Sequence, residues 1–401
     1  MPPERFLRPV TPVARPDEAA LRATVERLAP IERAPCSPGE RAAAELIAER
    51  LNGLGAAARV EREPAYGSYA WPVGVLSGLA AAAGLAGRRL GALGGVLAAA
   101  GIADEVSYGH RLARTLLSRR HTTSNVVAAL GDRTARRTLV VMAHHDAAPS
   151  GTVFDQRPAR WLARRFPGFV RARKENPPMW WPVLAGPVLV AAGAAGRLPP
   201  VRWTGVALSA LAAAAMADIG ARRAVPGAND NLSGVAVLTA LAASLSRRPP
   251  PGLRVILFSA GAEEALQEGV RGFARRHFPN LPRDSTWFLN LDTVGSGNLV
   301  LLDAEGALRM ERYDAGFGDL IARCAAEQGV GVQRGLRSRA GTDGVVPLRH
   351  GYRAACLVSV DDQHLIPHYH LPTDLPEHVD YRCVADAAQL TEAVARALAA
   401  R

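Results

Sequence analysis

Between residues 17 and 54 apolar positions recur every three or four residues, at Leu21, Val25 and Leu28 and again at Ala44, Leu46, Ile47 and Leu51. That spacing predicts two helices that each bury one face. Between them, Ser37-Pro38-Gly39-Glu40 has the form of a helix start: a capping serine, proline in the first turn and an acid three residues after the cap. Ala57 to Glu63 suits a short strand.

The pattern then changes abruptly. Residues 71–103 are almost wholly apolar, broken only by Arg88-Arg89, and a second pair of apolar stretches occupies 179–196 and 203–220 around Arg197 to Arg202. Each pair predicts a helical hairpin with a basic tip. Trp71, Trp180, Trp181 and Trp203 stand at the ends of these stretches, where a bilayer favours indole rings, so the pattern predicts two membrane-crossing hairpins at 71–104 and 179–220. Arg111, Arg114, Arg119, Arg120, residues 157–174, Arg222 and Arg223 lie on the side opposite the tips. The positive-inside bias therefore places the bulk of a multi-pass membrane protein in the cytoplasm.

With the hairpins set aside, 17–70, 121–156 and 221–401 read as one discontinuous α/β domain, and 1–16 as a tail. Strands are predicted at Asn125–Leu130, Thr138–Ala143, Leu253–Ala260, Thr286–Leu291 and Ala354–Val360, and helices at 232–247, 264–277, 314–328 and 379–399. Strands alternating with helices imply a mostly parallel, mixed sheet flanked by helices, with ligands gathering beyond the carboxyl ends of the strands.

Composition adds three constraints. Of 401 residues, 48% are hydrophobic but only 5% aromatic, and Lys174 is the only lysine, so the net charge of +11 reflects arginine usage more than a binding groove. No stretch interleaves basic and aromatic residues as nucleic-acid binding requires, whereas arginine beside apolar segments suits an anionic membrane face. Cys36, Cys324, Cys356 and Cys383 form no paired spacing and read as free thiols; residues 1–8 lack the apolar core of a secretion signal.

Acidic and histidine residues then fall at predicted strand ends and turns. They are His144-His145-Asp146, Asn229-Asp230-Asn231, Glu263-Glu264, Asn290-Leu291-Asp292 and Tyr369-His370. The combination supplies nitrogen and oxygen ligands for two zinc ions and leaves a carboxylate for acid–base work.

These motifs resemble those of the M28 family of zinc aminopeptidases, in order and from about Ser37 to Asp374. The matching segments are Ser37–Arg41, Ala143–Asp146, Pro226–Val235, Glu263-Glu264 with Gly269–Phe273, Asn290–Gly295 and Tyr369–Asp374. The resemblance implies a zinc peptidase with two Zn2+ and a peptide substrate. His144 and Asp292 would hold one ion, Glu264 and His370 the other, and Asp230 would bridge both. Asp146 would orient His144, and Glu263 would be the general base. His145, Asp361, Asp362, His364 and His368 are neighbouring candidates, with His368 the substitute should His370 not serve. The chain departs from the family in having Gly341-Thr342-Asp343-Gly344 where many members carry Ser-Asp-His, and Leu371 where Thr or Ser follows the last histidine. The expected function is membrane-anchored exopeptidase action on N-terminal residues. Glutaminyl cyclization and a metal-free scaffold are the alternatives.

Overall fold

The structure, a computed structural model, describes residues 12–400; the reading of residues 1–8 lies outside them. Helix α1 (Glu18–Leu28) opens on Asp17, whose carboxylate accepts from Ala19 N at 3.1 Å. Helix α2 (Pro38–Gly53) opens at Ser37 as its sequence predicts, with the hydroxyl accepting from Glu40 N. Glu40 does more than close that turn. Its carboxylate accepts from Cys36 N, Thr123 Oγ1, Ser124 N and Ala262 N, joining the helix start to the backbone just before Glu263.

The strands are β1 (Ala57–Ala65), β2 (His121–Gly131), β3 (Arg137–His144), β4 (Leu253–Ala260), β5 (Thr286–Leu291), β6 (Asn298–Leu301), β7 (Ala304–Glu305), β8 (Glu311–Arg312), β9 (Val332–Gln333), β10 (Arg337–Ser338) and β11 (Arg353–Val360). Eight of them form one sheet in the order β1-β2-β4-β3-β5-β11-β6-β9, while β10, β7 and β8 form a small second sheet. The central strands β4, β3, β5 and β11 run parallel, and antiparallel pairings at β1–β2, β2–β4 and β11–β6 make the sheet mixed. Strand periodicity divides the core between two faces: Leu139, Val141 and Ala143 enter one cluster, Val140 and Met142 the other.

Four apolar helices form a bundle beside this domain: α3 (Ala70–Leu85), α4 (Arg88–Val106), α8 (Trp180–Ala195) and α9 (Pro199–Ala221), with the short α5 (Leu112–Leu117), α6 (Arg157–Arg165) and α7 (Pro167–Ala172) at its base. Helix α3 packs on α4 and α9, and α8 on the same two. Small residues allow the close approach: a Cβ on Gly205 would lie 2.4 Å from Val190 N, and one on Gly84 2.5 Å from Val206 Cγ2. Gly205→Leu is therefore expected to lower stability by about 1–3 kcal/mol through overpacking, read as an earlier thermal transition in detergent. An unchanged transition would mean that α8 and α9 do not meet there. The outer surface of the bundle stays apolar, with Leu79, Leu85, Leu93, Leu97 and Leu211 each more than half exposed. Of the four stretches predicted to cross a membrane, α9 alone is long and apolar enough; α3 and α8, of 16 residues each, are short for a span.

The base of the bundle corrects the charge count. Arg111 and Arg114, read from sequence as loop charges, are buried: Arg114 pairs with Glu105 and Glu268, and Arg111 with Glu268. Glu105 and Glu268 neutralise these buried guanidiniums, so neither contributes to a positive membrane face.

The remaining helices, α10 (Ser233–Arg247), α11 (Glu268–His277), α12 (Ala315–Gln328), α13 (Val345–Arg349) and α14 (Tyr381–Ala399), cover the sheet; α10, α12 and α14 join α1 and α2 on one face, and α11 and α13 lie on the other. Helix α11 starts four residues later than predicted, because 264–267 form a turn in which Leu266 and Gln267 have positive φ. Cys36, Cys356 and Cys383 are free thiols, and Cys324, Cys356 and Cys383 are buried.

Candidate metal centre

Loops beyond the carboxyl ends of β3, β4, β5 and β11, with the turn before α10, bring the candidate residues together. His144 closes β3, Asp230 sits in the turn 228–232, Glu263 and Glu264 follow β4, Asp292 follows β5, and His370 lies in the loop after β11. His144, Asp230, Glu263, Glu264 and His370 are all under 10% exposed, and Asp292 is half-buried.

Asp230 lies between the two imidazoles. Its Oδ1 is 3.2 Å from His144 Nε2, and its Oδ2 is 3.3 Å from His370 Nε2, which in turn is 3.3 Å from Glu264 Oε2. Ligands about 2.0–2.1 Å from a tetrahedral zinc stand roughly 3.3 Å apart, so these spacings fit the edges of a coordination shell. Hydrogen bonds leave the three side chains incompletely satisfied: Asp230 Oδ2, Glu264 Oε1 and both ring nitrogens of His370 lack a partner in the interior. Three donor groups cluster here, His144 with Asp230 and Asp292, Asp230 with Glu264 and His370, and His144 with Glu263 and Glu264. Buried oxygen and imidazole donors are the chemistry that zinc requires, and the residues present fit it.

Electrostatics agree. Burial, reinforced by Asp343, Glu264 and Asp292 against the opposing pull of His144, raises the Glu263 carboxyl well above its usual range. Burial, with Asp230 and Glu264, pushes Asp292 up to about 7. His144 is raised even though burial opposes it, because Asp146 and Asp230 face its ring. So many carboxylates around two imidazoles call for further positive charge.

The supporting shell departs in part from expectation. The Asp146 carboxylate is 3.4 Å from His144 Nδ1, but its backbone carbonyl is closer at 3.2 Å. Its two oxygens accept from the backbone N–H groups of Glu263 (3.1 Å) and Glu264 (3.0 Å). Asp146 thus fixes the two-glutamate turn as much as it orients the imidazole. Asp374 does the same for the other loop, accepting from Asn229 N and Asp230 N. Among the rivals, His145 is fully buried with Nδ1 on Ser259 Oγ, and burial lowers it to about 4; His368 stacks on His378 at 4.4 Å. Neither joins the cluster, nor do Asp361, Asp362 and His364.

Several contributors were not singled out from sequence. Gln267 Nε2 donates to Glu263 Oε1 at 2.8 Å and to the Gly341 carbonyl. Arg33, fully buried, donates to the carbonyls of Leu28, Ile31, His145, Pro226 and Gly227, and so binds α1 to both ligand loops. Arg114 donates to the carbonyl of Ala265, next to Glu264, and Arg111 to that of Leu266, so the bundle's base holds the two-glutamate turn. Phe154, from the segment between the hairpins, sets its ring 4.4 Å from that of His370. Asp343 is buried with both oxygens unpartnered, and burial, with Asp146 and Asp292, raises it strongly although His144 opposes. Only Gly341-Thr342-Asp343-Gly344 marked that place in the sequence.

The comparisons follow from this geometry. Residues 213–395 match the model of peptidase family M28. No curated protein matches the chain by sequence. Among solved structures it is similar to a glutaminyl cyclase of Bacteroides thetaiotaomicron bound to N-acetylhistamine (14% identity, 96% of this chain and 99% of that one, TM-score 0.58). It is also similar to a leucine aminopeptidase precursor of the same species (15% identity, 96% and 99%, TM-score 0.55) and to a Zn-dependent exopeptidase of Parabacteroides distasonis (14% identity, 96% and 99%, TM-score 0.55). At these identities the likeness is one of fold. The family match is confined to residues 213–395, whereas the likeness of fold spans nearly the whole chain.

Proposed function

We propose that the protein is a membrane-anchored, dinuclear zinc exopeptidase that removes N-terminal residues from peptides. The observation that carries this reading is Asp230, whose two oxygens each face a different imidazole at 3.2 and 3.3 Å. In the proposed assignment His144 and Asp292 hold one zinc, Glu264 and His370 the other, and Asp230 serves both. Zinc, when bound, supplies Lewis-acid polarisation of the scissile carbonyl and a water acidified enough to attack at neutral pH.

Glu263 is the proposed general base. Its Oε1 is held by Gln267 Nε2, while Oε2 points toward His144 Nε2 at 4.0 Å, leaving that oxygen to take the proton of the attacking water. The same oxygen then returns the proton to the nitrogen of the leaving amine, so the carboxylate is regenerated in each cycle. The backbone clamp of Asp146 on Glu263 and Glu264 fixes the turn that carries both the base and the ligand. Phe154, Tyr369 and His370 form a ring cluster that closes one wall and excludes water.

The anchor is the bundle, whose apolar outer face and membrane-length helix α9 support insertion in a bilayer. Dialysis against a chelator should abolish hydrolysis of an aminoacyl anilide, and zinc should restore it while magnesium does not. Activity that survives complete removal of zinc would refute the assignment.

A further inference from the structure

Two exposed patches at the base of the bundle are unused by the metal centre. Helix α5 presents Leu112 at 65% and Leu116 at 86% exposure, and Trp71, at the start of α3, donates from its indole N–H to the Leu117 carbonyl beside them. On the far side, α6 and α7 expose Trp161, Phe166 and Phe169 at 60%, 47% and 58%. Helix α6 turns Ala163 inward and carries Arg157, Trp161, Arg164 and Arg165 outward. An outward stripe that mixes indole with guanidinium suits neither water nor an acyl core. It suits the headgroup layer, where the ring meets the acyl boundary and the cations meet phosphates.

Charge and position select the occupant. Residues 155–175 hold seven basic and two acidic side chains. Arg157 pairs with Asp155 and Arg160 with Asp361, whereas Arg164 and Arg165 form no ion pair among the described residues, and Arg165 lies over the Phe166 ring. The segment starts at the end of α9, where Thr152 N donates to Asp218 Oδ2, and leads into α8 at Trp180. Helix α5 follows α4 directly. Both patches therefore flank the end of the bundle at which its helices meet the α/β domain, which is the level of the bilayer surface if the bundle is inserted.

From this we infer that α5 and α6–α7 form a collar lying in the plane of an anionic phospholipid bilayer, with Trp161, Phe166, Phe169 and Leu116 at the acyl boundary and Arg164 and Arg165 on lipid phosphates. The inference rests on the membrane reading of the bundle. It adds that the leaflet in contact is anionic and that the segment carrying Phe154, which touches His370, rests on it.

The test places the full chain in nanodiscs of phosphatidylcholine alone or mixed with phosphatidylglycerol and follows amide hydrogen exchange. Exchange over 157–170 should slow several-fold with phosphatidylglycerol, and the effect should vanish in high salt and in an Arg164→Glu, Arg165→Glu double variant. The bundle helices should stay equally protected in both lipids. Equal exchange over 157–170 in the two lipids would overturn the collar, as would protection produced by soluble polyglutamate in place of the lipid, which would indicate an acidic protein partner. Should the chain stay in water when detergent is withdrawn, the anchor fails separately. Flotation with phosphatidylglycerol vesicles but not phosphatidylcholine vesicles would then still support the collar, and flotation with neither would overturn it.

Discussion

Glu263→Gln should bind as much zinc as the parent and lose roughly a hundred- to ten-thousand-fold in kcat/KM, the range for removal of a general acid–base group. The change keeps the shape of the side chain. Its amide oxygen can still accept from Gln267 Nε2, which now meets Glu263 Oε1 at 2.8 Å, so the turn that carries Glu264 stays in place. What disappears is the carboxylate that burial and neighbouring acids keep basic. Metal content by elemental analysis and turnover of an aminoacyl anilide decide the matter together. Glu263 also stands in one of the three donor groups, with His144 and Glu264. A variant that loses one zinc equivalent would make Glu263 a ligand and leave the base elsewhere. A variant with full activity would remove it from the chemistry.

The second large effect is expected at a residue far from any motif. Arg114→Ala should destabilise the protein by about 3–5 kcal/mol, the cost of stranding one partner of a buried ion pair. Arg114 and Glu105 are both without solvent exposure and meet at 2.9 Å, so Glu105 would be left as an unpaired buried charge. The same guanidinium donates to the Ala265 carbonyl at 2.6 Å, one residue from Glu264, and turnover should fall along with stability. Thermal unfolding in detergent reads the first effect and turnover of an aminoacyl anilide the second. Arg114→Lys should recover part of the stability. Unfolding at the parent temperature in the alanine variant would show that the bundle base does not clamp the catalytic turn.

Where the sequence was legible, local chemistry was the reason. The unbroken apolar run in Thr138–Ala143 predicts a buried strand, and β3 divides its side chains between two clusters. Ser37 announces a helix start, and its hydroxyl accepts from Glu40 N where α2 begins. His144, Asp230, Glu264 and His370 stand out because ligand types gather at strand ends, where an α/β sheet collects its ligands. The unreadable part was long-range pairing. Nothing about Arg33, Arg111 or Arg114 distinguishes a buried cation from a surface one until Glu105, Glu268 and the loop carbonyls are set beside them. Asp146 was expected to serve His144, and it faces that ring at 3.4 Å, but its two oxygens also accept from backbone N–H groups 117 and 118 residues away. The late start of α11 has the same origin, since the turn it replaces is held by Asp146, Arg111 and Arg114 together. The hairpins were legible as helices, but α9 alone has the length and composition of a membrane span.

The most direct test is the zinc content of the detergent-purified parent, measured beside its products on peptides that carry either an apolar residue or glutamine at the N-terminus. The account predicts close to two zinc ions per chain and release of the free N-terminal amino acid. One zinc per chain with loss of ammonia from the glutamine peptide would instead identify a cyclase, and a chain that binds no zinc and cleaves neither peptide would contradict the account altogether.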